Sequence, residues 1–260
     1  MISLYVFFFG LIFGSFSNVL ALRTHIGKSV VFPGSECPQC QKALAWYENI
    51  PVVSFIALKG RCRSCRNRIS FIYPLGELFC GGLFLAIYTK FDLSLASILF
   101  FSIAVFTAPY IYIDVKIHRL PNLFTLVLAV IELGVFGIKM YQDQSFENLT
   151  GLLRDPITAL IIFGVIYVVT GSKGMGMGDV KLAPVLAFAA GLLGWQTTAA
   201  YLILSFYTAG LISVGLLLSK KASRKSRIPF GPFLLLGFWI AVFLSDSQIQ
   251  WLVSFWQIKH

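Results

Sequence analysis

The sequence predicts an all-α polytopic membrane protein of about eight transmembrane helices, with a small cytoplasmic four-cysteine domain between helices 1 and 2. Three observations predict it. Of 260 residues, 57% are hydrophobic and only 12% charged, and the mean hydropathy of +0.81 lies outside the soluble globular range. Apolar runs close to the ~20 residues that cross about 30 Å of hydrocarbon as helix recur along the chain. There are eight: about 1 to 22, 71 to 89, 94 to 113, 121 to 138, 156 to 170, 180 to 194, 198 to 218 and 229 to 245. The third observation is the placement of lysine and arginine. If 23 to 70 is cytoplasmic, eight spans put 114 to 120, 171 to 179 and 219 to 228 on the same side. Together with Lys181 at a helix entry, these segments hold 17 of the 21 basic residues.

The net charge of +10 is therefore a topology signal and an attraction to anionic headgroups. Membrane lipid is an expected partner; nucleic acid is not. The first run lacks a basic start and an A-x-A-like site, so it is expected to stay as a helix. The expected organisation is 1 to 22 as the first helix, 23 to 70 as the cysteine domain and 71 to 260 as a seven-helix membrane domain.

In the first helix, Gly10, Gly14, Ser15 and Ser17 are spaced for close helix packing. The domain that follows carries Cys37-Pro38-Gln39-Cys40 and Cys62-Arg63-Ser64-Cys65. Paired C-x-x-C turns at this separation suit tetrahedral zinc, each turn aiming two thiolates at one ion. A segment this short can hardly build a core unaided, so a metal staple is physically sensible. A cytoplasmic location weighs against stable disulfides. Glu77 follows about one turn inside the second span, where its cost argues for a role. Residues 139 to 155 read as a polar external loop whose acids are solvated. Glu132, inside the fourth span, has no evident partner in the sequence.

The third span ends at Asp114, and Gly174-Met175-Gly176-Met177-Gly178-Asp179-Val180-Lys181 opens the sixth. Asp179 could simply cap its helix. Yet the same topology sets Asp114 and Asp179 at one membrane face, at the ends of helices. Two carboxylates held close cannot both ionise fully; they share a proton and supply a general base and a general acid together. Aspartyl proteolysis uses that arrangement. Glycines leave room for another backbone, so Gly174, Gly176, Gly178 and the neighbouring Lys181 are the candidate substrate contacts. A rival reading is an ion-coupled transporter with Asp114, Asp179, Glu77 and Glu132 as its ion path. It accounts for buried acids, but not for both aspartates at one face.

The chain resembles the type IV prepilin peptidases of the GxGD aspartyl class. The resemblance rests on Gly14 to Val19, the four cysteines, Asn49-Ile50-Pro51, Gly60-Arg61-Cys62, Tyr73-Pro74-Leu75 with Glu77, Asp114, Leu120-Pro121, Gly174 to Lys181 and Pro229 to Phe233. It implies an eight-helix inner-membrane enzyme that removes the leader from prepilin or pseudopilin precursors at the cytoplasmic face. Asp114 and Asp179 are then the catalytic pair and Cys37, Cys40, Cys62 and Cys65 the zinc ligands. Many members also N-methylate the new terminus with S-adenosylmethionine, for which the cytoplasmic domain with Glu77 is the implied location; a peptidase without methylation is the alternative. Asn122 stands where the family usually has aspartate, Glu48 replaces another aspartate, and His25 occupies a common proline position.

Overall fold

The computed structural model describes residues 1–143, 146–171, 175–220 and 228–254. Each of the eight apolar runs forms a helix, and the described residues contain no strand. The chain separates into two compact units, Met1–Ile113 and Asp114–His260.

In the first unit, helix α1 (Ile2–Thr24) lies along α3 (Ile72–Phe91), and the short α2 (Val53–Ala57) sits in the segment between them. The α1–α3 contact is a small-residue seam, as the spacing of Gly10 and Gly14 predicts. A Cβ on Gly10 would stand 2.7 Å from Gly81 Cα, and one on Gly14 would stand 2.7 Å from Glu77 Cα. One turn further, Asn18 donates its side-chain amide to the Tyr73 carbonyl (2.9 Å) and fills the space beside Gly76. The two helices are thus antiparallel, in a register fixed by backbone proximity. Helix α4 (Leu95–Ile117) adds aromatic packing, with Phe101 stacked on Phe84 at 4.5 Å.

The two cysteine turns are a local repeat. Cys37 N–H donates to Lys42 O and Gln41 N–H to Cys37 O; Cys62 N–H donates to Asn67 O and Arg66 N–H to Cys62 O. Gln41 and Arg66, each four residues past the first cysteine of its turn, both adopt positive φ (57° and 61°). The repeat is one of backbone bonding, which the dissimilar side chains hide in the sequence.

The second unit contains α5 (Asn122–Asp143), α6 (Phe146–Val169), α7 (Met177–Gly191), α8 (Trp195–Leu218), α9 (Gly231–Phe243) and the short α10 (Asp246–Ser254). Helix α7 is central, touching α5, α6, α8 and α9, and ten of its fifteen residues are buried. Being enclosed by protein, it does not need the length or hydropathy of a lipid-facing span. Among the described residues, α1, α3, α4, α5 and α8 are long and apolar enough to cross a membrane on those criteria alone.

The loop expected at 139 to 155 is instead mostly helix, because α5 runs on to Asp143 and α6 begins at Phe146. Nor is Asp155 solvated: it is 4% exposed. Its carboxylate accepts the Thr198 hydroxyl (2.9 Å) and pairs with Arg154 Nε (2.8 Å), and Gly191 leaves it the space. The neighbouring Arg154 on α6 and Thr198 on α8 offset the cost of burying the charge.

Candidate active site and metal centre

Asp114 lies in the last turn of α4 and is buried. Its Oδ2 accepts the Gly231 N–H at 3.0 Å, from the first turn of α9. The chain then turns sharply. His118, at φ 52°, returns its N–H to the Asp114 carbonyl (2.8 Å), and its ring stands near enough to the Asp114 carboxylate to interact electrostatically.

Asp179 sits in the first turn of α7, also buried. Its Oδ2 accepts the Gly176 N–H at 3.1 Å, so the capping role is real. It is only half a capping box, since Gly176 has no side chain to reciprocate. The other oxygen, Oδ1, is buried with no hydrogen-bond partner among the described residues. The Asp114 carboxylate is close enough to Asp179 to interact with it through space, and the fully buried Tyr201 does so from α8.

Leu120 joins the two arms. A Cβ on Gly178 would stand 2.8 Å from Leu120 Cβ, and one on Gly231 would stand 3.2 Å from Leu120 Cδ2 and 2.8 Å from Asp114 Oδ2. One leucine therefore occupies the space left by two glycines, Gly178 beside Asp179 on α7 and Gly231 at the start of α9 against Asp114. Room for an outside backbone consequently rests on Gly176, where, chain neighbours apart, the only side chain among the described residues within 4 Å of a Cβ is that of Asp179. Gly174 lies outside the described residues. Lys181 reaches away to α5, where its Nζ donates to Asn122 Oδ1 (3.1 Å). Gly231 and Leu120 stand in blocks that carry the resemblance, but the sequence assigns neither a role. The local signal at Gly231 is a glycine between two prolines at a helix entrance. Glu132 is buried on α5, and its Oε1 has no hydrogen-bond partner among the described residues.

In the first unit, the sulfurs of Cys37, Cys40, Cys62 and Cys65 lie within 4.8 Å of one another, a group that could hold a metal ion. The Cys37 and Cys65 sulfurs are 3.8 Å apart. That matches the edge of about 3.8 Å that a tetrahedron of Zn–S bonds near 2.3 Å requires. The backbone N–H groups of Cys65 and Ser64 lower the Cys62 thiol to about 7. The Asn67 N–H pulls Cys65 down, but burial and the neighbouring thiols outweigh it and push that thiol up to about 11. Four sulfurs this close, once deprotonated, would need a cation between them.

Glu77 accepts the Val52 N–H through Oε2 at 2.8 Å. It borders a cavity of about 330 Å³ whose polar lining includes Asn18, Glu36, Glu48 and Tyr73.

Fold and site together define a multi-pass membrane protein with a buried carboxylate pair at its helix ends and a four-sulfur knuckle pair. A family model described as the bacterial peptidase A24 N-terminal domain matches residues 8–91, and one described as the type IV leader peptidase family matches residues 98–214. Curated relatives named prepilin leader peptidase/N-methyltransferase align over most of the chain. One from Bacillus subtilis (strain 168) is 31% identical over 96% of this chain and 97% of its own length. One from Pseudomonas putida is 30% identical over 92% and 89%, and one from Pseudomonas aeruginosa is 32% identical over 87% and 77%. No solved structure shows a significant match. The chain belongs to the type IV leader peptidase family, and with its apolar helices it is a multi-pass inner-membrane protein.

Proposed function

We propose that this protein is an aspartyl endopeptidase that removes the leader from type IV prepilins or pseudopilins at the cytoplasmic membrane face and then N-methylates the new terminus. The observation that carries the peptidase reading is the state of Asp179: one oxygen held by Gly176, the other buried beside Asp114 with no partner among the described residues. An orphaned carboxylate oxygen is costly unless a partner arrives. Water and a scissile carbonyl supply that partner. One carboxylate takes a proton from water as it attacks the carbonyl carbon, and the other gives its proton to the developing oxyanion. Collapse of the tetrahedral intermediate breaks the C–N bond, and a dyad proton goes to the departing amine. Gly231 acts as a positioning residue, holding Asp114 by its N–H. Gly176 and Lys181 are the remaining candidates for substrate contact.

The four cysteines would hold zinc in a structural role, since they leave no open coordination position. S-adenosylmethionine, when bound, supplies an electrophilic methyl group on a sulfonium centre. The cavity beside Glu77 fits such a group: Glu36, Glu48 and Glu77 offer negative charge to a cation, and Phe55 and Leu44 offer apolar surface to a ring. The part of these residues is to bind and orient. The basic segments from 23 to 70, 114 to 120 and 219 to 228 support a cytoplasmic location for this domain and the dyad.

The test uses the purified full chain and a synthetic prepilin-like peptide, with products read by mass spectrometry. Leader cleavage and a single added methyl group are expected. Cleavage at the normal rate by Asp114→Asn or Asp179→Asn would remove the dyad assignment.

A further inference from the structure

Within the basic segment after α1 lies a run of different character. From Ala43 to Leu58, sixteen residues include one charge, Glu48, and the run is bracketed by Lys42 and Lys59. It folds as a 3-10 turn (Trp46–Asn49), the bend Ile50-Pro51-Val52 and α2. Several of its large side chains point outward: Trp46 is 80% exposed, Ile56 68% and Val53 52%. In water such a surface would be anomalous for a segment this small.

Its position is fixed by α1 and α3. Val52 N–H donates to Glu77 Oε2 (2.8 Å), and the Glu77 Cα abuts Gly14. Gly14 lies nine residues before Arg23, about 13 Å along the helix at 1.5 Å per residue, well within the apolar run. Trp46, Ile50 and Val53 also wall a groove of about 610 Å³ whose other side is the α1 stripe Phe8, Ile12 and Phe16. Those three α1 residues are themselves 45–56% exposed, as lipid-facing side chains of a span should be.

We propose that residues 43–58 form a membrane-inserted hook, seated among phospholipid chains beside α1, with Lys42 and Lys59 at headgroup level. Lipid is the occupant because the groove is continuous with the bilayer-facing side of α1. Irregular backbone at membrane depth must find its partners within the protein, and much of the hook's backbone does so. The N–H groups of Ala45, Glu48, Val53, Ser54, Ile56 and Leu58 all donate to acceptors inside the hook. At the bend, where no local acceptor takes the Val52 N–H, α3 supplies Glu77. The two lysines then act as basic anchors.

The test reconstitutes the full chain in phosphatidylcholine–phosphatidylglycerol vesicles, with and without chain-brominated lipid. The emission of Trp46 is read as the difference between the protein and Trp46→Phe. The expected result is that brominated chains quench most of this emission while aqueous iodide leaves it intact. Ile56→Trp, which adds a probe at a second exposed point of the hook, should add emission of the same behaviour and serves if Trp46→Phe does not fold. Quenching by iodide without quenching by brominated lipid would place the hook in water and overturn the proposal. Insensitivity to both quenchers would mean that a protein chain covers it, and would overturn the proposal equally.

Discussion

The amide of Gly231 donates to the Asp114 carboxylate at 3.0 Å across 117 residues of sequence, and no Cβ fits between them. Phe230, the preceding residue, packs against Phe206 at 5.4 Å and Phe163 at 6.0 Å, so the turn that carries this amide is held on two other helices. Gly231→Ala should therefore displace the carboxylate without unfolding the bundle. A misplacement on the order of 1 Å costs about 100-fold in rate. The expected loss is of that size in kcat for leader cleavage, with KM little changed. A fall in thermal stability with kcat preserved would make Gly231 a packing residue only.

Asp114→Asn and Asp179→Asn should each reduce cleavage to background while leaving metal content unchanged. The amide oxygen of asparagine at 179 can still accept the Gly176 N–H, so the start of α7 is expected to survive. Circular dichroism and metal analysis alongside the cleavage assay separate loss of chemistry from loss of fold.

Metal analysis of the purified chain should give about one zinc per molecule, as expected of a closed four-sulfur site. Replacing Cys37 or Cys62 by serine should remove it and unfold the 23–70 segment, measured by protease sensitivity. Uptake must displace protons from the thiols, Cys65 most of all, since it stands near 11 without a metal. Apparent zinc affinity is therefore expected to fall as pH falls, with proton release on binding measurable by calorimetry in buffers of different ionisation enthalpy.

Glu77→Gln keeps an acceptor for the Val52 N–H and removes the charge beside the cavity. Leader cleavage should persist while S-adenosylmethionine binding, followed by calorimetry, weakens and the product loses its added methyl. Unchanged binding would take Glu77 out of the cofactor site and leave it as the backbone partner of the hook.

Gly191→Ala would drive a Cβ to 2.7 Å from Asp155 Oδ2, in a pocket where Thr198 already holds that carboxylate. Overpacking of this kind costs about 1–3 kcal/mol. The midpoint of thermal unfolding in detergent should fall, and Asp155→Ala, which removes the overlapped atoms, should cost less in this background than in the parent chain.

The sequence by itself determined the helical class, the eight runs, the sulfur cluster and the placing of Asp114 and Asp179 at helix ends. These follow from local chemistry: hydrophobic length against bilayer thickness, cysteine spacing against ion size, and basic residues against the membrane face. Boundaries failed where the tertiary environment reversed a local cost. Arg154 and Asp155 read as loop because buried charge is expensive, yet Thr198 and the gap at Gly191 make Asp155 tolerable inside a helix. The 43–58 run was hidden because Asn49, Pro51 and Ser54 break its hydropathy below that of a span. Only the tertiary structure decided that Leu120 fills the space beside both Gly178 and Gly231, and that the Gly231 amide meets Asp114. Such contacts join residues far apart in the chain. They depend on angstrom-scale shape, which composition and periodicity do not encode.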